Sequence, residues 1–315
     1  MTEEIGFIGA GSNPIGFVGA GSMGRPIART LLKCGYPLLV HDIDDAAVRE
    51  LAENGATAAE SPRDVAARSS VVFLCLPTLE ALREVTLGPL GLCRGDALKT
   101  CVNLSTAGPA FVREIAGALA PRITLVDCPI TGGAAAARTG TLSITASGDA
   151  RKFESVKPLL DSIAAHVFYV GAQPGQAQIM KLLNNMLSFA AFVASCEAFT
   201  MGVKAGLDAD AMVEVINTGT GRNSATTHKF PENILPRTFD YGAKLAISYK
   251  DISLCLEEAE RLGVPMWLAP MVKQVIGYAI SQDGDAGDVT TLIRHYEKWC
   301  GVEVSGKAAG SPPRS

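Results

Sequence analysis

The sequence predicts an α/β protein in which a doubly wound parallel sheet is followed by an all-α C-terminal domain. Two observations support this prediction. In the first half of the chain, short runs rich in β-branched residues alternate with amphipathic segments, which is the pattern of parallel strands joined by helices. From about residue 176 the strand pattern stops, and helical periods continue to about residue 300.

Seven short apolar runs are predicted as strands, because each ends at a turn residue or a polar residue. They are 15–19, 37–42, 70–77, 99–105, 123–129, 141–147 and 166–171. The segments between them carry apolar residues at helical spacing. The predicted helices include 24–33, 45–54, 79–85 and 109–119.

Turn-forming residues indicate how the chain divides. Gln173, Pro174 and Gly175 form the clearest break between strands and helices. The last ten residues, GKAAGSPPRS, have no apolar pattern and are typical of a disordered tail. We therefore expect four parts: an N-terminal appendage (1–14), the sheet domain (15–174), the helical domain (175–303) and a disordered tail (304–315).

The composition indicates a soluble protein with a sizeable core. The chain has 315 residues, a net charge of −4 and 48% hydrophobic residues, which predicts neither a nucleic-acid nor a membrane partner. The apolar run 186–195 is shorter than the ~20 residues that cross a bilayer. The eight cysteines are scattered without metal-ligand spacing, so we expect reduced thiols, no metal and a cytoplasmic location. Cys128 lacks a nearby histidine that could activate it as a nucleophile.

A short repeat begins the chain, and its second copy predicts a nucleotide-binding turn. IGFIGAGS at 5–12 is followed by IGFVGAGS at 15–22. The second copy places Gly19, Gly21 and Gly24 between a strand and a helix, with the spacing that binds a dinucleotide pyrophosphate. The first copy has Pro14 in place of the third glycine. We therefore expect the second copy to form the first strand and the working loop.

An acidic residue follows this loop at the expected distance. Asp42 ends the next predicted strand, 42 − 19 = 23 residues after Gly19, near the ~20 at which an acid binds ribose hydroxyls. Ile43 follows it rather than an arginine that could pair with a ribose phosphate, so NAD is predicted in preference to NADP. The alternative interpretation of Asp42 is a carboxylate that caps a loop.

A lysine and two asparagines lie near the start of a long apolar helix. Lys181, Asn184 and Asn185 share one helical face, because residues three and four apart are neighbours on a helix. An amine beside two amides is suited to acid/base chemistry and substrate orientation. The alternative interpretation is a solvated stripe at the helix start.

Together with two further motifs, these features resemble the β-hydroxyacid dehydrogenase family. That family includes 3-hydroxyisobutyrate dehydrogenases, tartronate semialdehyde reductases and threonate dehydrogenases. The matching motifs are 19–24, 127–133 (DCPITGG), 175–185 and 250–254 (KDISL). Thr131 stands where serine is usual in the family, which keeps the hydroxyl and adds a methyl group.

The resemblance implies a Rossmann-like NAD-binding domain and a role for each matching residue. It implies that Lys181 is the general acid/base. It implies substrate binding by Thr131, Gly132, Gly133, Asn184 and Asn185. It implies cofactor binding by Gly19, Gly21, Ser22, Met23, Gly24, Asp42, Leu76, Pro77, Thr106 and Lys250.

The chemistry of these residues is that of hydride transfer. A hydroxyl-bearing carbon releases hydride to NAD only as a base takes the hydroxyl proton. Lysine can be that base once burial lowers its ordinary pKa of ~10.4. We therefore predict a dehydrogenase that interconverts a small 3-hydroxy carboxylic acid and its semialdehyde or ketone. The alternatives are a non-catalytic NAD-binding or reader protein, and an imine or semialdehyde reductase that works mainly in the reducing direction.

Two further features concern substrate and assembly. Arg222 lies in a turn-like stretch of the helical domain and could meet a second polar or anionic group of the substrate, although a surface arginine is the simpler interpretation. The segment 176–205 is apolar on more than one face, and such a helix needs burial on several sides. We therefore expect a homodimer or homotetramer.

Overall fold

A computed structural model describes residues 13–307 and residue 309. The chain forms two compact units, Met1–Lys181 and Leu182–Ser315. The division falls inside a long helix, several residues after the break that was expected at 174–175. The first copy of the repeat, 5–12, lies outside the described residues, as does nearly all of the expected appendage.

The first unit is built on a nine-stranded sheet. Its strands are Ile15–Val18 (β1), Leu38–His41 (β2), Thr57–Ala58 (β3), Val71–Leu74 (β4), Thr100–Asn103 (β5), Thr124–Asp127 (β6), Ile130–Thr131 (β7), Leu142–Ser147 (β8) and Ala164–Gly171 (β9). All seven predicted strands are present, and the second copy of the repeat forms β1. The sequence did not indicate β3 and β7, because each is only two residues long and leaves no alternating pattern to read.

Within the described part of this unit, seven α-helices and one short 3-10 helix, Leu92–Arg94, accompany these strands. The α-helices are Gly24–Lys33 (α1), Asp45–Glu53 (α2), Pro62–Arg68 (α3), Leu79–Leu87 (α4), Pro109–Leu119 (α5), Gly133–Thr139 (α6) and Ala150–Asp161 (α7). Large apolar side chains lie on both faces of the sheet: Phe17 stacks on Phe73 on one face, and Val18 and Leu74 belong to a second cluster on the other. Helices on both faces of a mainly parallel sheet are what a doubly wound fold requires.

The sheet is mixed, whereas the sequence predicted a parallel one. Its strand order is β3-β2-β1-β4-β5-β6-β8-β7, with β9 pairing with β8. The strands from β3 to β6 are parallel, but β8 runs antiparallel to both β6 and β7. The segment 132–141 between β7 and β8 is too short for the crossover of a dozen or more residues that a parallel connection needs, so the chain returns antiparallel.

The second unit is helical, as predicted. Its α-helices are Gln176–Lys204 (α8, which begins in the first unit), Ala209–Thr218 (α9), Leu245–Arg261 (α10), Leu268–Asp283 (α11) and Leu292–Cys300 (α12). A π-helical segment, Ala225–Ile234, was not predicted. Its Phe230 packs against Phe192 and Phe199 of α8 in the core of this unit. The helical core is therefore organised around α8.

Helix α8 is longer than the apolar run 186–195 considered in the sequence. Among the described residues it is the one helix long and apolar enough to cross a membrane by length and composition. A core helix of a soluble protein meets the same criterion. Lys181, Asn184 and Asn185 interrupt its first half with polar side chains.

The expected disordered tail begins too early. Val304 is fully buried, and its N–H donates to Glu297 Oε1 over 2.8 Å. Farther along, the Lys307 N–H donates to Asp210 Oδ2 over 2.8 Å. These hydrogen bonds compensate for the missing apolar pattern, so residues 304–307 belong to the helical unit. Most of the remaining tail lies outside the described residues.

Candidate active site

The turn after β1 has the three glycines that a dinucleotide needs, and each has a different reason to be glycine. Gly19 has a φ of +99°, and a Cβ there would collide with the Cys75 carbonyl. A Cβ on Gly24 would collide with the Gly19 carbonyl. A Cβ on Gly21 would meet nothing within 4 Å. Gly19 and Gly24 are therefore required by the turn itself, whereas Gly21 leaves open space in which a pyrophosphate could approach the backbone.

The start of α1 is also suited to a phosphate. Four other helices of this unit begin with a capping side chain; Asp44, for example, accepts from the N–H of Ala46, and Thr78 from that of Ala81. Helices α5 and α6 begin after glycines and have no such cap. Helix α1 begins after Met23, which gives no side-chain cap, and its first turn contains no acidic residue. A helix N-terminus without a capping side chain presents N–H groups to an anion.

Asp42 lies directly after β2 and contacts the glycine turn. Its Oδ2 accepts the Ala20 N–H, and its Oδ1 accepts the Asp44 N–H over 2.8 Å. The carboxylate therefore does cap the loop, as the alternative interpretation held. Each carboxylate oxygen has two acceptor sites, so capacity remains for ribose hydroxyls. The neighbouring Ile43 is 99% exposed and contributes no charge.

Residues expected at the nicotinamide end follow β4 and β5. Leu76 and Pro77 come after β4, and Thr106 follows β5. The Leu76 N–H donates to Ser105 Oγ over 2.8 Å, which ties the two connections together. Because β4 and β5 are adjacent and parallel, these residues lie at the same edge of the sheet, where open α/β sheets bind their ligands.

Lys181 and the substrate loop are in contact. Lys181 Nζ donates to Thr131 Oγ1 over 3.1 Å. Gly132 and Gly133 follow with φ values of +126° and +69°, in the region that favours glycine. A Cβ on Gly133 would meet nothing within 4 Å, so its backbone is open to a ligand. The fold thus brings together two residues that are 50 positions apart in the sequence.

In the second unit, Asn185 contacts the KDISL motif. Its Nδ2 donates to Asp251 Oδ2 over 2.7 Å, and Asn184 Nδ2 donates to Asn185 Oδ1 over 3.3 Å. Asp251 is buried, and its Oδ1 lies 3.4 Å from Lys250 Nζ. Sequence analysis selected Lys250 but missed Asp251. The available signal was a carboxylate directly after that lysine on a helix with an apolar face.

A buried polar network lies at the carboxyl ends of β5 and β6 and was also missed. Asp127 Oδ1 accepts from Asn103 Nδ2 over 3.0 Å and from Gln178 Nε2 over 2.7 Å. Burial raises the pKa of Asp127 to about 7, although the hydrogen bonds from Gln178 and Asn103 act in the opposite direction. Asp127 opens the substrate motif, so a sequence signal for it was present.

Three residue groups considered in the sequence have no evident catalytic geometry. Burial, with the nearby charge of Asp127, raises the pKa of Cys128 well above its ordinary value, so its thiol is a poor nucleophile. The described residues contain no cluster of His, Cys, Asp and Glu that could hold a metal. Arg222 is exposed, two residues before Ser224, whose Oγ lies 3.3 Å from Ser188 Oγ on α8.

Comparison with known proteins identifies the family. Residues 14–171 match the NAD-binding domain of 6-phosphogluconate dehydrogenase, and residues 175–296 match the NAD-binding region of NADP-dependent 3-hydroxyisobutyrate dehydrogenase. The 2-(hydroxymethyl)glutarate dehydrogenase of Eubacterium barkeri is 32% identical over 96% of this chain and 98% of its own. The chain belongs to the β-hydroxyacid dehydrogenase family.

Two other relatives agree with this assignment. The NAD-dependent L-serine dehydrogenase of Pseudomonas aeruginosa is 35% identical over 82% of this chain and 86% of its own. A structure of 3-hydroxyisobutyrate dehydrogenase from Mycobacterium tuberculosis with L-serine has a TM-score of 0.81 at 25% identity, covering 90% of this chain and 98% of its own. The protein is an NAD-dependent 3-hydroxyacid dehydrogenase, and the predicted family, fold and cofactor are confirmed.

Proposed function

We propose that Lys181 is the general acid/base of this dehydrogenase and that the Thr131–Gly133 loop binds the substrate carboxylate. The observation that supports this most directly is the 3.1 Å hydrogen bond from Lys181 Nζ to Thr131 Oγ1. It holds an amine beside a glycine loop whose backbone is open to an anion. A general base must lie within hydrogen-bond reach of the proton that it removes, and this arrangement allows one small hydroxy acid to reach both groups.

In the oxidising direction, the substrate hydroxyl gives its proton to neutral Lys181 Nζ. The adjacent C–H bond breaks with its electron pair leaving as hydride, and the C–O bond becomes a carbonyl. NAD, when bound, supplies the acceptor for that hydride. N–H groups of Gly132 and Gly133 hold the carboxylate, and the amides of Asn184 and Asn185 orient the substrate without adding charge. Asp251 holds the Asn185 amide in place.

The proposed cofactor site uses the sheet edge described above. Gly19, Gly21, Ser22, Met23 and Gly24 contact the pyrophosphate, and Asp42 binds the ribose hydroxyls. Leu76, Pro77 and Thr106 contact the nicotinamide end, while Lys250 lies at the cofactor or substrate edge. A carboxylate at position 42 opposes a ribose phosphate, so this assignment favours NAD over NADP.

We further propose that Arg222 meets a polar or anionic substituent of the substrate. The compounds named with the three relatives are all carboxylic acids with a hydroxyl on the β-carbon, and 2-(hydroxymethyl)glutarate carries a second carboxylate. Helix α8 bears Asn184 and Ser188 one turn apart, and Ser224 contacts Ser188. Arg222 therefore begins a segment that packs beside the proposed substrate residues of α8.

A panel of 3-hydroxy acids tests the proposal. We would measure oxidation of 3-hydroxyisobutyrate, L-serine and 2-(hydroxymethyl)glutarate with NAD and NADP, and the reverse reaction with the corresponding carbonyl compounds. NAD-dependent oxidation of at least one acid is the expected result. Turnover of imines alone would favour the reductase alternative, and NADH binding without any turnover would favour a non-catalytic protein. An Arg222→Ala loss confined to the dicarboxylate would support the role of Arg222.

We also infer that the protein is a cytoplasmic homodimer or homotetramer. Helix α8 exposes Leu187 and Met201, of which 64% and 77% respectively remain accessible to solvent. Trp267 and Met271 of the same unit are also exposed. Apolar surface of this kind is typical of a subunit interface.

A further inference from the structure

Gln178, in the first turns of α8, is fully buried and makes four hydrogen bonds. Its Nε2 donates to Asp127 Oδ1 over 2.7 Å and to the Ser105 carbonyl over 3.0 Å. Its Oε1 accepts the N–H groups of Ala107 and Gly108 over 3.0 and 3.2 Å. A side-chain amide has two N–H donors and two acceptor sites on its oxygen, so every one of them is used.

These partners fix the orientation of the amide. If the amide were rotated by 180°, its oxygen would face the Asp127 and Ser105 oxygens, and its NH₂ group would face the N–H groups of Ala107 and Gly108. Four attractive contacts would become four repulsive ones in a buried site, where water cannot compensate for the lost hydrogen bonds. Gln178 therefore has a single arrangement here.

The Gln178 amide links the start of α8 to two segments that are distant from it in the sequence, the connection after β5 and the substrate motif. Ser105 to Gly108 form the connection between β5 and α5, which contains Thr106. The Ser105 hydroxyl accepts the Leu76 N–H, and Asn103 hydrogen-bonds both Ser105 and Asp127. One buried network thus runs from the loop after β4 to the substrate motif and reaches α8 at Gln178.

Lys181 lies three residues after Gln178 on the same helix, almost one turn farther along. A change in how Gln178 is held therefore shifts the helix position that carries Lys181, and with it the Lys181 amine, relative to the loops that follow β4 and β5. A well-packed apolar side chain would fill the same volume without the cost of burying an amide. The amide adds what an apolar residue cannot, namely a single fixed register between the helix and the loops.

We propose that Gln178 is a positioning residue that sets Lys181 relative to the nicotinamide-side loops containing Leu76, Pro77 and Thr106. This inference rests on the proposed function, in which Lys181 takes the proton and those loops contact the cofactor. Gln178 itself touches neither substrate nor cofactor. Misplacement of a reacting group by about 1 Å can reduce a rate by about 10²-fold, so a modest shift of α8 is sufficient.

The test compares Gln178→Met with Gln176→Met. Methionine keeps the length of glutamine and removes all four hydrogen bonds. Gln176 lies two residues earlier on the same helix and is exposed, and its Oε1 accepts the Gln173 N–H over 2.9 Å. For each variant and for the unmodified protein, we would measure the folded fraction, NADH affinity and the fluorescence of bound NADH. We would also measure kcat per NADH-binding site, the KM of the hydroxy acid and the deuterium isotope effect on kcat.

For Gln178→Met we expect NADH affinity and the KM of the hydroxy acid to change little. We expect kcat per binding site to fall about 10²-fold. The emission of bound NADH should move toward that of the free cofactor, because the nicotinamide side of the site is no longer held. A deuterium isotope effect on kcat should increase, because hydride transfer becomes slower than product release. Gln176→Met should retain the behaviour of the unmodified protein in all five of these measurements.

Other results would overturn the proposal. If Gln178→Met keeps the kcat and NADH emission of Gln176→Met, the amide positions nothing. If the activity lost equals the loss of NADH-binding sites, its role is only structural. Should Gln178→Met fail to fold, Gln178→Glu keeps the shape and the acceptors but removes both donors, and the same comparison applies. If the unmodified protein oxidises no 3-hydroxy acid, the proposed function fails, while the NADH emission still decides the role of Gln178.

Discussion

Lys181 Nζ lies 3.1 Å from Thr131 Oγ1 and donates a hydrogen bond to it. The threonine hydroxyl is thus placed where it can hold the lysine amine and, through its own proton, a substrate oxygen. The methyl group that distinguishes threonine from serine stiffens the side chain at χ1. The Thr131 hydroxyl, with χ1 restricted, should therefore hold the Lys181 amine in a narrower range of positions than a serine hydroxyl would.

Replacement of Lys181 should remove catalysis but keep cofactor binding. For Lys181→Ala we expect a fall in kcat of about 10² or more, which is the scale of a positioned acid/base. NADH affinity should stay within a few-fold, because the glycine turn and Asp42 are unchanged. Stopped-flow or steady-state kinetics with the best acid of the panel would measure this. Met180→Ala, an exposed neighbour, is the control, and near-normal turnover of Lys181→Ala would remove the assignment.

Cofactor preference should follow the charge at position 42. Asp42→Ser with Ile43→Arg removes a carboxylate and adds a guanidinium that can pair with a ribose phosphate. The ratio of kcat/KM for NADP to that for NAD should therefore rise. Since Asp42 also accepts the Ala20 N–H, serine is chosen to retain an acceptor. Equal use of both cofactors by the unmodified protein would show that Asp42 is not the ribose ligand.

The sequence was sufficient to select the motif residues of the proposed site but not the buried network behind them. The glycine turn, Lys181 and Thr131 could be selected because short motifs carry their chemistry. Gln178 and Asp127 lie within those motifs, but their roles depend on a contact between residues 51 positions apart. Side chains that satisfy one another inside the core leave no local pattern. Strand β8 was predicted, but its antiparallel direction was not, because direction follows from connection length and pairing rather than from the pattern within the strand.

The stability of the protein should decrease with rising pH because of Asp127. Burial raises its pKa from 3.8 to about 7, so the folded state binds a proton that the unfolded state has already lost at pH 5–6. The contribution of Asp127 to the free energy of unfolding is fully present below about pH 4 and is lost as the pH rises through about 7. The slope from this group is about 1.4 kcal/mol per pH unit between these values.

Asp127→Asn should remove that slope. The variant keeps an oxygen that accepts from Gln178 and Asn103, and it has no charge to bury. Urea unfolding at pH 5, 6 and 7 would compare its free energy of unfolding with that of the unmodified protein. Asp96→Asn, in an exposed loop, is the matched control. If both variants show the same pH dependence, Asp127 is ionised throughout this range.

The helical unit should hold subunits together. Light scattering at micromolar concentration is expected to give a dimer or a tetramer. Leu187→Glu combined with Met201→Glu places charges on exposed apolar positions of α8 and should shift the equilibrium toward monomer. Ile43→Glu, equally apolar but located in the first unit, should not. A monomeric unmodified protein would contradict the expectation.

The two copies of the N-terminal repeat should differ in importance. Deletion of residues 1–12 should preserve NAD affinity and activity, because β1 and the turn come from the second copy. Gly21→Val should abolish cofactor binding, since a side chain would occupy the open space at the turn without a collision that disturbs the fold. Isothermal titration with NADH, together with circular dichroism, separates lost binding from lost folding. The first copy is a poor candidate, because its Gly9 precedes Asp42 by 42 − 9 = 33 residues, too far for the ribose contact of a dinucleotide site. If the deletion nevertheless removed binding while Gly21→Val retained it, the first copy would be the working loop.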